Sequence, residues 1–490
     1  MDVIIEENMC RDKVYACWLG KNIGGTLGGP WEGQKHVHDL DFYDPVPDEP
    51  QPNDDLDFQL VWLKMLEDRG PDICLGDFAE YWQRYLAAYP WNEYGFCMRN
   101  LERGLQPPVS GWFENYFVDE MGSPIRSEIW ACICPADPQR AAAMAWMDSA
   151  MDHAGGEGMN GEMFWAAVES AAFVLDDPEE LIRIGLAMVP PACRIARAIR
   201  ESVWCYENGI CWSDARERLE RVFGHVQPCD AAVNHGFTVL GWLYGEDFGD
   251  QLCKAVNCGY DTDCTGATLG SVLGIIGGTE YIPEKWIDPI GEGIALHKFT
   301  GDCNAPDTIE DFTERTLAVA EQMAETREAM VSLGNQMILP NDLIGWLRRN
   351  DDALACLRQD VRSAFAREED LQIVLYYNGE PVFRPGVSRI LSVECQQDMA
   401  PADAEVELVL PEAWELVDEE QTSYEKRFLL MPPEVADRNI VEVKAYLGGK
   451  AYSSEFMVLG PGEARGFPAT QNVETCPRCR ARKNACICSD

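Results

Sequence analysis

A multi-domain chain, an all-α helical domain followed by a small β-sandwich, is the architecture this sequence predicts, and three observations predict it. From about residue 10 to 300, apolar residues recur at helical spacing in stretches closed by Gly and Pro. Near residue 370 the period drops to two. At 490 residues the chain is also too long for one ordinary core. The expected division is 1–365 for the helical domain with its trailing helices, 370–460 for the sandwich, and 461–490 for a short tail rich in Arg and Lys.

The helical part is punctuated clearly. "DLDFQLVWLKMLEDRG" (55–70) is apolar over most of its surface and stops at Gly70-Pro71. "QRAAAMAWMDSAMDHAG" (139–155) is rich in Ala and Met, and alanine both favours helix and permits close packing. "GEMFWAAVESAAFVL" (161–175) follows, ahead of Asp177-Pro178. "DTIEDFTERTLAVAEQMAETREAM" (307–330) is a more polar amphipathic helix at the edge of the domain. In the β part, "LQIVLYYNGEPVF" (371–383) reads as strand, Asn-Gly turn and returning strand. "AEVELVL" (404–410), "KRFLLM" (426–431) and "NIVEVKAYLGGKAYSSEFMVL" (439–459) repeat that character.

Charge and cysteine content bound the function. Asp and Glu number 83 against 40 Lys and Arg, a net charge of −43. Such acidity argues against a nucleic-acid or anionic-membrane partner, both being polyanions. No run of about 18 apolar residues is present, so no membrane span is expected. The opening "MDVIIEENMC" carries no basic, apolar export pattern. With 20 scattered cysteines this predicts a cytoplasmic chain whose thiols are mostly reduced.

Two acidic clusters sit at helix starts. "PNDDLDFQ" (52–59) holds Asp54, Asp55 and Asp57 after Asn53. "NCGYDTDCTGATLG" (257–270) places Asp261 and Asp263 before a helix built from small residues. Each fits an ordinary capped helix start, because first-turn acids complement the helix dipole. Yet a cap needs only one such residue, and adjacent acids repel. Carboxylate, amide and hydroxyl oxygens suit Mg2+, Mn2+ or Ca2+. Small residues beside both clusters let two helix ends approach. A third piece, "GKNIGGTLGGPWEG" (20–33), is a Gly-rich loop ending in Glu32, and lacks the Gly-Lys-Ser/Thr of a P-loop.

In this order the three pieces resemble the ADP-ribosylglycohydrolase family, whose members carry a "GDALG–P–E" loop, a "TDDT" motif and a late "GGDTDT–AA––GA" motif. Here they read "GGTLGGPWEG", "NDDL" and "GYDTDCTGATLGS", and "MGSPIRSEIWACICPADP" (121–138) matches a central family segment. The resemblance covers about 1–300. It implies an all-helical domain whose cleft binds two Mg2+ ions, with Mn2+ as a substitute. The ligands it implies are Glu32, Asn53, Asp54, Asp55, Asp261 and Asp263. The activity it implies is hydrolysis of a glycosidic bond to ribose in a small-molecule or ADP-ribosylated substrate. Glu32, Asp54 and Asp55 would gate the metal and position water.

Three positions depart from the family pattern. Gly25 stands where the first motif has aspartate, Asn53 where the second opens with threonine, and Cys264 where a threonine follows the last aspartate. A thiol is a poor partner for a hard ion, and the adjacent Thr265 is the expected replacement ligand. Two alternatives stay open: a glycoside or nucleoside hydrolase acting on another sugar in the same cleft, or a non-enzymatic structural or interaction protein, as the family's J-crystallins are.

Other candidates are weaker. Asn115 in "GWFENYF" (111–117) and His153 in "MDSAMDHAGGEG" (147–158) are candidate substrate-binding residues, against a core role for the first and a helix-end role for the second. Asn234 and His235 are candidates to face the cleft. Arg126 reads as the partner of an acid rather than of a phosphate. In the tail, Cys476, Cys479, Cys486 and Cys488 have the spacing of a four-cysteine Zn2+ knuckle, against a flexible reduced tail. The oligomeric state is not set by any of these features.

Overall fold

The computed structural model describes residues 3–464 apart from 90–91, 327–328, 398–399 and 423. The chain packs as two compact units. Among the described residues, the first comprises those up to Ile73, Asp119–Ser149 and Gly156–Arg358; the second comprises Cys74–Val118, Ala150–Gly155 and those from Gln359 onward.

The first unit is helical. Its principal helices are α1 (Glu7–Gly28), α2 (Asp54–Arg69), α3 (Ser127–Ile133), α4 (Pro138–Ser149), α5 (Glu157–Ala172), α6 (Ala231–Tyr244), α7 (Thr262–Gly277) and α8 (Ile309–Ala324). Large aromatics fill the core: Trp18, Trp62, Trp130 and Trp165 are fully buried, and Trp18 stacks on Phe312 at 4.1 Å. The expected helix through 330 ends earlier, at Ala324. Val331–Gly334 (β2) instead pairs in parallel with Val3–Glu6 (β1), a two-stranded ladder that the helical expectation does not contain. Its "VIIE" and "VSLG" stretches are too short to show periodicity.

The packing of α1 against α7 positions the site. Gly20, Gly24 and Gly28 lie four residues apart, on one face of α1. They meet Gly270, Gly266 and Thr262 of α7 in reverse order. A Cβ built on Gly24 would lie 2.0 Å from the Gly266 carbonyl oxygen, and one on Gly28 2.1 Å from that of Thr262. Backbone therefore rests on backbone, and the Thr262 hydroxyl donates to the Gly28 carbonyl at 2.7 Å. The small residues of both motifs exist to bring the end of α1 to the beginning of α7.

The second unit contains two antiparallel sheets. Its strands are β3 (Ser363–Glu368), β4 (Leu371–Tyr376), β5 (Arg389–Gln397), β6 (Ala400–Pro401), β7 (Glu405–Val409), β8 (Glu415–Gln421), β9 (Glu425–Met431), β10 (Arg438–Leu447) and β11 (Lys450–Leu459). One sheet has the order β3-β4-β5-β9-β8 with β6 on β5, the other β11-β10-β7. Both feed a common core that includes Leu375, Val393, Phe428, Val443 and Phe456. Helical segment 74–118 adds Leu105, Val109 and Phe113 to that core. The Asn-Gly turn is present, with Asn378 at φ 49° and Gly379 at φ 139°. The strand paired with β4 is β5, however, not 381–383. Pro381–Phe383 instead exchanges backbone hydrogen bonds with Leu459. Tail residues 465–490, including Cys476, Cys479, Cys486 and Cys488, lie outside the described residues.

Candidate functional site

Capping geometry separates the two acidic clusters from ordinary helix starts. Asn53 is the N-cap of α2, and its side-chain oxygen accepts the Asp55 N–H at 2.9 Å. The cap is thereby made without either following aspartate. The amide nitrogen of Asn53 lies where a Cβ on residue 25 would be, 2.2 Å away, so Gly25 and Asn53 fit each other sterically. Asp57 is a strut: it accepts from the His297 N–H at 2.8 Å and the Thr300 hydroxyl at 2.6 Å. At the other cluster Asp261 holds the N-cap position of α7 yet makes no capping bond. Its backbone N–H is taken by the Asn234 side-chain oxygen at 3.2 Å, and its carboxylate turns to the other acids.

A loop brings Glu32 to the same place. Gly259 at φ 76° and Tyr260 at φ 75° turn the chain just ahead of Asp261. Side chains rarely adopt this region, so Tyr260 is strained there, and its partners hold it. Tyr260 N donates to the Gln34 carbonyl at 2.9 Å, and Gly33 N to the Tyr260 carbonyl at 2.8 Å. Buried Arg216 ties the two loops, donating to the carbonyls of Cys258 and Lys35. These bonds set Glu32 beside Asp261.

The result is two groups of donors. Glu32, Cys229 and Asp261 each offer an atom within 4.8 Å of the others, and so do Asp55, Asp263 and Cys264. Asp261 links them, since the thiols of both Cys264 and Cys229 lie beside its carboxylate and favour its ionised form. Asp54 lies close enough to act electrostatically on Glu32, Asp55, Asp261 and Asp263. Both carboxylate oxygens of Asp55, one of Asp261 and one of Asp263 are buried without a hydrogen-bond partner. Such groups are costly to bury unless something compensates them.

The electrostatics follow from that crowding. Burial, then Glu32 and the other aspartates, push Asp263 well above the usual carboxylate range. Burial raises Asp55 likewise, with Asp54 and Asp261 adding to it and Lys21 opposing. Burial takes Asp261 to about 6, its accepted hydrogen bonds limiting the rise. Glu32 is exposed as a residue, but protein packs around its carboxyl; that desolvation, then Asp261 and Asp54, raise it to about 8. Four carboxyl groups that all resist ionisation together are a set suited to a divalent cation. The carboxylates present therefore fit a divalent cation.

Beneath the cluster lies a buried lysine that sequence reasoning missed. Lys21 is 1% exposed; its ammonium donates to Glu128 at 2.7 Å and stands 3.7 Å from Asp55. Gln59 completes the network, donating to Glu128 at 2.9 Å and accepting the Ile129 N–H at 2.8 Å. Cys229 was also missed, because it stands alone in "QPCDAA" and only the fold brings it to Glu32 and Asp261.

Several expected site residues have other occupations. The Thr265 hydroxyl donates to the Thr262 carbonyl at 3.2 Å, and the neighbouring Cys264 stands in a donor group with Asp55 and Asp263. Asn115, in the second unit, spends its side chain on the Gly111 and Asp152 carbonyls and the Phe117 N–H. His153 is fully buried between Asp152 at 3.0 Å and Glu93 at 3.8 Å. His235 is buried against Trp165, with Nδ1 2.6 Å from the Ala231 carbonyl. Arg126 is buried on Asp148 at 2.9 Å, a carboxylate partner as expected.

A predominantly helical unit whose acid-bearing helix ends converge over a Gly-rich contact defines the class of protein. The chain belongs to the ADP-ribosylglycohydrolase family, whose model matches residues 6–328. Membership places it among glycohydrolases of the ADP-ribose type. Over 295 residues it is 27% identical to an uncharacterized protein of Archaeoglobus fulgidus, spanning 57% of this chain and 91% of that protein. A solved structure titled "ADP-ribosylglycohydrolase-related protein complex" aligns with a TM-score of 0.44 at 21% identity, covering 65% of this chain and 100% of that one. No helix among the described residues is long and apolar enough to cross a membrane.

Proposed function

We propose that this chain is a divalent-cation-dependent hydrolase that cleaves the glycosidic bond between a ribose and its acceptor in an ADP-ribosylated substrate. The observation that carries this reading is the pair of donor groups at the α1–α7 contact, with buried carboxylate oxygens left without hydrogen-bond partners. A bound Mg2+ or Mn2+ ion, or a pair of them, would orient vicinal sugar hydroxyls and lower the pKa of a water molecule.

The chain's own residues divide the work by exposure. Asp55, Asp261 and Asp263 are buried and serve as ligands, held by the Lys21–Glu128 network and by the backbone of α7. Glu32 and Asp54 are less buried as residues than those three aspartates, so these two are assigned to substrate and water. Glycoside hydrolysis passes through an oxocarbenium-like state, which their carboxylates stabilise. Asn53 acts through the cap that sets the direction of the Asp54 and Asp55 side chains. The test is incubation with an ADP-ribosylated acceptor, following released ADP-ribose with and without chelator. Release that continues undiminished in Asp55→Ala and Asp263→Ala variants overturns the assignment.

The spacing of Cys476, Cys479, Cys486 and Cys488 supports a separate structural Zn2+ site in the tail.

A further inference from the structure

We propose that Cys229 and Cys264 are sulfur ligands, one in each donor group, and that they direct the site toward a borderline cation such as Zn2+ or Co2+ rather than Mg2+. The proposal rests on the reading that the carboxylates bind a cation, and adds what kind of cation this chain selects.

Two independent observations meet here. The first is placement. Each group contains two carboxylates and one sulfur, all donor atoms within 4.8 Å of one another. An ion that holds oxygen at about 2.0–2.2 Å and sulfur at about 2.3 Å keeps its donors roughly 3–4.5 Å apart. The sulfurs thus stand within reach of an ion that the carboxylates of the same group could hold, and both thiols lie beside the one carboxylate of Asp261. The second is the buried carboxylate without hydrogen-bond partners. Asp55 is 0% exposed with both oxygens in that state, in the group that holds Cys264.

The chemistry distinguishes these thiols from the other cysteines. Buried cysteines such as Cys10, Cys17 and Cys205 fall in neither donor group and pack as small apolar side chains. Hard Mg2+ gains nothing from sulfur, whereas Zn2+ and Co2+ accept mixed oxygen and sulfur sets. On binding, each S–H bond breaks, a metal–sulfur bond forms, and the proton leaves to solvent. No electron changes hands.

The test is cobalt spectroscopy on the full-length chain with Cys476, Cys479, Cys486 and Cys488 replaced by serine, so that the tail contributes no thiolate. Co2+ should bind with an intense sulfur-to-cobalt charge-transfer band in the near ultraviolet. The band should fall by about half in Cys229→Ser or Cys264→Ser and vanish in the double variant. Zn2+ affinity should fall at least tenfold in the double variant while Mg2+ affinity does not fall. X-ray absorption of the Zn2+-loaded protein with both cysteines intact covers the case in which a serine variant does not fold; a sulfur shell at about 2.3 Å is expected. Calorimetric binding of Co2+ with no charge-transfer band, or an absorption spectrum with oxygen neighbours alone, overturns the sulfur assignment and leaves the proposed activity standing. No binding of any divalent cation overturns both.

Discussion

Replacing Gly24 by alanine tests whether the glycine contact between α1 and α7 builds the site. In an isolated helix the change would stabilise by about 1 kcal/mol, because alanine is the better helix former. In this structure the new Cβ would lie 2.0 Å from the Gly266 carbonyl oxygen and 2.7 Å from the Ala267 nitrogen, both backbone atoms that no rotamer change can move. Ordinary contact begins near 3.4 Å, so the helices must part by about 1.4 Å. Overpacking of this kind costs about 1–3 kcal/mol, more when backbone must shift. The expected net loss is about 2 kcal/mol, read from denaturant midpoints. Parting the helices also draws Asp261 and Asp263 away from Glu32 and Asp55, so cation affinity measured by calorimetry should fall at least tenfold. Gly29→Ala is the control, since a Cβ there meets nothing within 4 Å; it should be neutral or slightly stabilising. A Gly24→Ala protein that is as stable as wild type and binds cation equally well refutes the reasoning.

Asp263→Asn should raise the melting temperature of cation-free protein, by relieving repulsion from Glu32, Asp261, Asp55 and Asp54, and should abolish the further rise that added cation gives; melting curves with and without chelator separate the two effects. Lys21→Met should cost about 3–5 kcal/mol by stranding buried Glu128 and Asp55, and adding Glu128→Gln should recover part of that loss in denaturant titrations. His235 is held to about 4 by burial, below its ordinary value near 6.5. Its contribution to stability is therefore complete above pH 6.5 and is lost as pH falls toward 4. Between pH 7 and pH 5 that one group should remove about 2 kcal/mol, and the loss should be absent from a His235→Asn protein.

The features legible in the sequence are those set by local physics. Helical period, Gly-Pro stops and alternating strands show in windows of ten to fifteen residues, so the helical unit and the sheets could both be read from them. The acid clusters were visible because unlike neighbours surround them. Which acid caps a helix was not visible. Asn53 caps α2, while Asp261 stands at an N-cap and caps nothing, and backbone geometry decides that difference. Lys21 looked like part of a flexible glycine loop, and its partner Glu128 lies 107 residues away. Cys229 and Arg216 likewise act only through contacts the fold creates. Thr265 and Cys264 differ by one helical step, about 100° of rotation, and no local pattern says that Cys264 comes within reach of Asp55 and Asp263. The Asn-Gly turn signalled a reversal correctly, but the strand that pairs with β4 begins ten residues after it, at Arg389.

ADP-ribose binding tests the central claim most directly, because it asks at once for the cation and for the sugar. Thermal melting of the full-length chain should be followed with ADP-ribose in about hundredfold excess over its dissociation constant, with divalent cation or with chelator. The account predicts stabilisation of about 2.7 kcal/mol, a rise of roughly 5–10 °C, with cation present. Chelator, Asp261→Ala and a 2′-deoxy analogue should each remove most of it. An equal rise in chelator, or no rise with ADP-ribose where a simple pentoside or oligosaccharide gives one, contradicts the account.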